Sequence, residues 1–190
     1  TGGNGTVSGL VNGTTLTTAL TSIYTAPISN GGGAATVCVG STTPAFTNAT
    51  GGGVWSIING TGSATISAGG IVTGVTAGNV TVVYTVGGCA SNSILTINAA
   101  PVITTQPVVT SICTTGTGTF SVVATGATTY QWRRAGVDLI NTAPYSGVNT
   151  ATLTITNPAV GDAGNFDVIV SNGSCSVTST ARALTVLTAP

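Results

Sequence analysis

Ten charged or thiol side chains carry most of the reactive chemistry this sequence could support: Asp138, Asp162 and Asp167; Arg133, Arg134 and Arg182; and Cys38, Cys89, Cys113 and Cys175. His, Lys, Glu and Met are absent. A thiol, Ser or Thr nucleophile needs a base beside it, and without His or Lys there is none to recruit. Asp162 and Asp167 lack the constellation of paired carboxylates on a cleft that glycoside hydrolysis uses. No two cysteines lie in a Cys-x-x-Cys arrangement and no His could join them, so the sequence offers no metal site and no cofactor site. Disulfide formation in an exported protein is the chemistry left for the thiols, and four cysteines allow three connectivities. No catalytic residue is expected, and the chain is not read as an enzyme.

The rest of the composition points the same way. Thr (39), Gly (28), Ser (16) and Asn (13) together make up half of the 190 residues, while charged residues are 3% and the net charge is zero. An ordinary soluble domain carries about a quarter charged residues. Three Arg cannot neutralise a nucleic-acid backbone, so nucleic acid is not an expected partner. Hydration must come from hydroxyls and amides rather than charge, which suits a protein held in an array, a fibre or a tethered chain, and equally an abundant secreted protein built from small, cheap residues. The 42% apolar content suffices for a core, and no run approaches the 18 consecutive apolar residues of a spanning helix, so membrane insertion is not expected. The first residue is Thr rather than Met, and the chain is expected to be processed or part of something longer.

The elements that position these residues read as strands. Alternation is plain in Thr119 to Ala124, Thr152 to Thr156, Val80 to Val86, Asp167 to Val170 and Ala183 to Leu187. Asn-Gly pairs begin at Asn4, Asn12, Asn30, Asn59 and Asn172, the chemistry of tight reversals. An Ala-Pro phrase recurs at Ala26-Pro27, Ala100-Pro101 and Ala189-Pro190, each time after a strand-like run. Proline cannot donate to a ladder, so each phrase marks a junction. The expected organisation is an all-β chain: residues 1–26 as a strand arm or the tail of a preceding domain, then domains at 27–100 and 101–190. Pairing within domains would join Cys38 to Cys89 and Cys113 to Cys175.

Between Tyr130 and Asn172, the runs "YQWRRAGVDL" and "ATLTITNPAVGDAGNFDVIVSN" resemble an immunoglobulin-like domain of the I-set kind. The resemblance implies that Trp132 is the buried tryptophan of strand C, that Leu153 and Ile155 face inward on strand E, and that Gly136 turns the chain after strand C. Asp162, Gly164 and Phe166 match the Asp-x-Gly-x-Tyr corner, with Phe166 lacking the corner hydroxyl. Val122 and Val168 stand where that family has its inter-sheet cysteines, and they are expected to pack on Trp132. Cys113 and Cys175 would then form a displaced disulfide. Arg133 is expected to face outward with Asp138 as its partner, and Asp162 to cap the turn before strand F.

The first domain, "GGVWSIINGTGSATISAGGIVTGVTAGNVTVVYTV", resembles a group 2 bacterial immunoglobulin-like domain. Trp55 is expected in its core beside Val54 and Ile57. Ile71 and Val75 are expected inward, with Gly70, Gly74 and Gly78 at reversals. Together the resemblances imply two Greek-key sandwiches in tandem, with an extended strand-forming segment before them.

Residues 1–26 have two readings, the end of an upstream domain or a strand donated to a neighbouring subunit. Six Asn-x-Ser/Thr sequons leave glycosylation open. The function implied is a structural or adhesive module of an extracellular bacterial surface protein, either a rigid stalk or a self-assembling filament subunit. Its partners would be copies of itself or adjacent repeats, with surface glycans as a further class. The alternative is a carbohydrate-binding accessory module of a secreted enzyme, which would need exposed, coplanar aromatics.

Overall fold

A chain rich in Thr, Val and Ile and poor in helix formers pairs its segments as strands, because branched side chains pack well on a pleated surface. The computed structural model describes residues 5–11, 14–20, 26–30, 35–108 and 110–188, with side chains from residue 26 onward apart from Thr110. The expected turns at Asn4, Asn12 and the Gly of Asn30-Gly31, and the last Ala-Pro phrase, involve residues outside this set. Strands account for the regular structure, and the only helical element described is one 3-10 turn. The chain divides into two compact units, Thr1–Asn98 and Ala99–Pro190.

The first unit opens with an antiparallel pair, β1 (Gly5–Val11) and β2 (Thr14–Leu20). Its sandwich follows. One sheet has the order β3 (Thr36–Cys38), β8 (Cys89–Asn98), β7 (Gly78–Val86), β4 (Val54–Asn59). The facing layer holds β5 (Ser63–Ile66) and β6 (Val72–Thr76), extended by single bridges from Val39 and Thr42 to β6. Val37, Phe46, Val72, Val80, Val82, Leu95 and Ile97 form the core between them.

In the second unit the larger sheet runs β10 (Thr110–Cys113), β19 (Arg182–Leu187), β17 (Gly164–Ser171), β13 (Thr129–Arg134), β14 (Val137–Asp138). β18 (Ser176–Thr178) also pairs with β17. Against it lie β11 (Thr117–Ser121), β16 (Thr152–Thr156) and β15 (Tyr145–Ser146), and a separate pair of β9 (Val102–Thr105) and β12 (Val123–Thr125). In each unit an early strand runs parallel to the last one, β3 on β8 and β10 on β19, while the other ladders among the described strands are antiparallel and the single Val39–Gly74 bridge is parallel. Neighbours in space that are distant in sequence, in two facing sheets, make a Greek key. Both units are immunoglobulin-like sandwiches.

Several expectations meet the structure directly. Leu153 and Ile155 are fully buried on β16. Ala135 and Gly136 both have positive φ (50° and 80°) and join Arg134 to Val137 in a two-residue hairpin. That is the conformation a tight hairpin needs, and glycine adopts it without a Cβ penalty.

One expectation is reversed. Ile71 and Val75 are 42% and 49% exposed, whereas Val72 is fully buried and Gly74 points to the core. A slip of one residue turns every side chain to the other face. The reason lies at Gly74, where a Cβ would stand 2.9 Å from Ile97 Cγ2 and 3.0 Å from the Cys38 carbonyl. β6 comes so close to β3 and β8 that only a bare backbone fits. Gly74 is therefore a mid-strand contact rather than a reversal; Gly70 and Gly78 do take positive φ, at 80° and 133°.

Gly74→Ala is expected to destabilise the first unit by about 1–3 kcal/mol, the usual cost of overpacking. Gly51→Ala, where a Cβ meets nothing within 4 Å, is expected to be nearly neutral. Thermal unfolding of the two variants checks this; equal melting temperatures would contradict it.

Candidate functional site

Strand β13 carries Gln131, Arg133 and Arg134 around the inward Trp132, with Arg134 at the strand end. Trp132 is fully buried, and its indole N–H donates to the Thr150 carbonyl at 2.9 Å. Val122, Val168, Phe120 and Phe166 share its core. Phe120 stacks on Phe166 at 5.3 Å between ring centroids and lies 6.1 Å from Trp132. The two valines thus stand in one apolar cluster with the tryptophan. Val122 sits in the break between β11 and β12, where its N–H donates to the Ala151 carbonyl at 3.0 Å.

Arg133 lies between two aspartates by register, Asp138 on β14 and Asp167 on β17. The expected partner was Asp138; the structure pairs Arg133 with Asp167 instead. Nε donates to Oδ1 at 2.8 Å and Nη2 to Oδ2 at 3.0 Å, a two-pronged match of guanidinium and carboxylate. The physical reason is that β17 is the central strand of the sheet, whereas Asp138 is exposed on its edge. The hydrogen bond to Asp167 raises the Arg133 pKa above its ordinary value, against the opposing effect of burial.

Arg134 reaches the corner before β17. Its guanidinium donates to the carbonyls of Gly161 and Ala163 and stands 3.5 Å from an Asp162 oxygen. Asp162 closes the 3-10 turn Val160–Asp162, accepting the Ala159 N–H at 2.8 Å. Its other oxygen accepts the Tyr145 hydroxyl at 3.0 Å. Asp162 thus caps the turn as expected, and its carboxylate is occupied on every side. Tyr145 is a residue the sequence reading missed. Its ring lies 6.0 Å from Phe166, and its hydroxyl reaches the corner that Phe166 cannot bond. Only the position of β15 brings it there, so no local signal could have found it.

Beside Tyr145 and Asp162 lies an open groove of about 620 Å³, bordered by Pro144, Ser146, Thr156 and Asn157. Its ionisable groups are the tyrosine and the aspartate already bonded to each other.

In the first unit Trp55 is half-buried at the rim of the core, 4.5 Å from the Tyr84 ring and 6.4 Å from Phe46. Tyr84 in turn donates to the Thr50 carbonyl and accepts the Gly53 N–H, both at 2.9 Å. The aromatics there pin a loop to the sandwich.

The cysteines depart from expectation. Cys89 and Cys113 carry free, exposed thiols, and Cys38 and Cys175 are each disulfide-bonded. Neither Cys38–Cys89 nor Cys113–Cys175 forms. Cys38 is opposite Asn98 at one end of β8, and Cys89 begins the same strand opposite Val86. Strand rise of about 3.3 Å per residue puts some 30 Å between them, against the roughly 5.5 Å between Cα atoms that a disulfide spans. Cys113 pairs with Leu187, beyond the start of β17, while Cys175 follows its far end at Ser171. In both units the two cysteines sit at opposite ends of the sandwich.

No protein-family model matches the sequence, and no curated protein is significantly similar to it. Solved structures are similar at low identity. The N-terminal Ig1-2 module of the Drosophila receptor protein tyrosine phosphatase DLAR is 24% identical, covering 80% of this chain and 93% of that one, with a TM-score of 0.43. The titin M3 domain is 18% identical over 46% of this chain and 96% of its own, with a TM-score of 0.40. The N-terminal eight Ig domains of the Down syndrome cell adhesion molecule are 14% identical over 86% of this chain and 24% of theirs, at 0.47.

Tyr145 supplies a pH test. Burial first, and the hydrogen bond to Asp162 second, raise its pKa above the ordinary 10.0. The folded state holds the phenol proton more tightly than the unfolded chain does. Its contribution is therefore fully present below pH 10 and lost as pH rises through the folded value. Unfolding of the second unit between about pH 9 and pH 12 is expected to show declining stability, with a shallower decline in Tyr145→Phe; identical slopes would contradict the assignment.

Proposed function

We propose that this chain is a force-transmitting structural or adhesive spacer of an extracellular bacterial surface protein, with adjacent sandwiches of the same polypeptide as its first partners. The observation that carries the reading is the parallel pairing of an early strand with the closing strand in each unit. In the first unit Thr36 lies opposite Thr96 and Cys38 opposite Asn98. The chain enters β3 at one end of that ladder and leaves β8 at the other. Tension on the two ends slides the strands past each other, so the ladder bonds must fail together rather than one by one. The bonds Thr96 N–H to Ala35 at 2.9 Å and Val39 N–H to Asn98 at 3.0 Å lie across that load. In the second unit, Thr114 N–H to Leu187 at 2.9 Å extends the same arrangement.

The use of charge supports the reading. Arg133 and Arg134 are spent on Asp167 and on the Asp162 corner, and Arg182 donates to the Pro107 carbonyl at 3.0 Å. These side chains fasten strands. Disulfide-bonded Cys38 and Cys175 support an oxidising, extracellular setting. No helix described here is long and apolar enough to cross a membrane. A sugar platform finds less support, since Trp132 exposes no face and Trp55 leans on Tyr84.

Pulling single molecules by their ends tests the proposal. With Cys38 and Cys175 reduced, so that no crosslink shields part of the chain from the load, each sandwich is expected to fail in one step that lengthens the chain by about 20–30 nm, from roughly 3.3–3.6 Å per released residue. Val37→Pro, which breaks the β3–β8 ladder, is expected to lower the force of one step and leave the other unchanged. Smooth extension without steps would overturn the proposal.

A further inference from the structure

We infer that the paired strands β1 (Gly5–Val11) and β2 (Thr14–Leu20) are the closing strands of a third immunoglobulin-like sandwich, whose remaining strands lie N-terminal to them on the same polypeptide. This goes beyond the spacer reading and does not rest on it. β1 pairs with β2 and with no other strand among the described residues, although a two-stranded hairpin alone is marginal in water. Among the described residues it therefore lacks a sheet, and its own register says which one.

In β1–β2 the ladder ends with Val11 opposite Thr14, leaving Asn12-Gly13 between the strands; in β7–β8 it ends with Val86 opposite Cys89, leaving Gly87-Gly88. With the ladder ends Val11–Thr14 and Val86–Cys89 set on each other, Thr6 falls on Thr81, Val7 on Val82, Val11 on Val86 and Leu20 on Leu95. Val82 and Leu95 are fully buried at the centre of the first unit's core. By register, one face of the β1–β2 ladder holds the positions of Val7, Val11, Leu16 and Leu20, and the other is mostly Thr and Ser. Such a hairpin has one face made for a facing sheet. Past the second strand, the chain reaches Ala26-Pro27 as it reaches Ala100-Pro101 past β8, with one more residue on the way.

The occupant follows from the first unit. β7 has β4 on its other side and β8 has β3, parallel. The equivalents of those two strands would flank β1 and β2. A second copy of this chain lacks a place for closing strands at the positions of β7–β8 and β17–β19, because its own strands already fill them. On this inference β1 and β2 belong to an upstream domain rather than to a neighbouring subunit.

Hydrogen exchange on chain 1–190, compared with a longer chain in which residues 27–77 are repeated directly ahead of residue 3, tests the inference. In chain 1–190 the β1–β2 amides are expected to exchange roughly a hundredfold faster than those of β7–β8, at every protein concentration. In the longer chain they are expected to slow at least roughly tenfold, and Leu20→Asp to abolish the gain. A second reading on chain 1–190 stands independent of the fusion: Leu20→Asp is expected to leave both melting transitions in place, and Leu95→Asp to remove the first unit's. Protection of β1–β2 already present in monomeric 1–190 would overturn the inference. So would protection appearing only as the chain oligomerises, no slowing in the longer chain, or loss of a transition in Leu20→Asp.

Discussion

Both sandwiches depend on the phase of side-chain alternation between facing sheets. Along β16 and β17 every second residue is buried, and Leu153, Ile155, Phe166, Val168 and Val170 meet Trp132 from both layers. The first unit repeats the arrangement with Val80 and Val82 against Val72, Leu95 and Ile97. With six formal charges in 190 residues, little else holds these layers in register. Apolar burial must offset the conformational entropy of ordering the chain, and a slip of one residue would expose a whole face.

The few charges and hydroxyls take positions where the apolar pattern leaves backbone or edges to fasten. Arg133 clasps Asp167 across the β13–β17 ladder, and Arg134, Asp162 and Tyr145 tie β13, β15 and the corner together. Ser179 is the buried polar residue among those described, and its hydroxyl accepts the Val168 N–H at 3.0 Å. Groups committed to such bonds hold strands at fixed positions. The same economy explains the surface: with charge removed, Thr hydroxyls face water, and pairs such as Ser121 with Thr152 and Ser63 with Thr76 bond across strands.

Much of the fold was legible because period-two patterns report burial directly. Leu153 and Ile155 declared themselves by alternating with threonines, whereas Trp132, between Gln131 and Arg133, was placed by its resemblance to the tryptophan of strand C. The segment Ile71 to Val75 misled for the same reason. Both of its faces are apolar, and the bulkier residues occupy the exposed one, because close approach to Ile97 admits only Gly74 to the other. The cysteines were misread because sequence separation says nothing about which end of a strand a residue occupies. Cys38 and Cys89 share a domain and flank the same strand at opposite ends. Tyr145 was invisible because its role depends on where β15 pairs, and Arg133 because two aspartates flank it and only topology separates centre from edge.

The most direct test of packing as the source of stability is thermal unfolding of each sandwich across ionic strength. Between about 10 mM and 1 M salt the screening length falls from about 30 Å to about 3 Å, so interactions between exposed charges nearly vanish. If interlocked apolar faces hold the sandwiches, both melting temperatures stay level or rise, since salting-out ions strengthen apolar burial. A fall of several degrees in either unit would show that its ion pairs supply the stability, and would contradict the account.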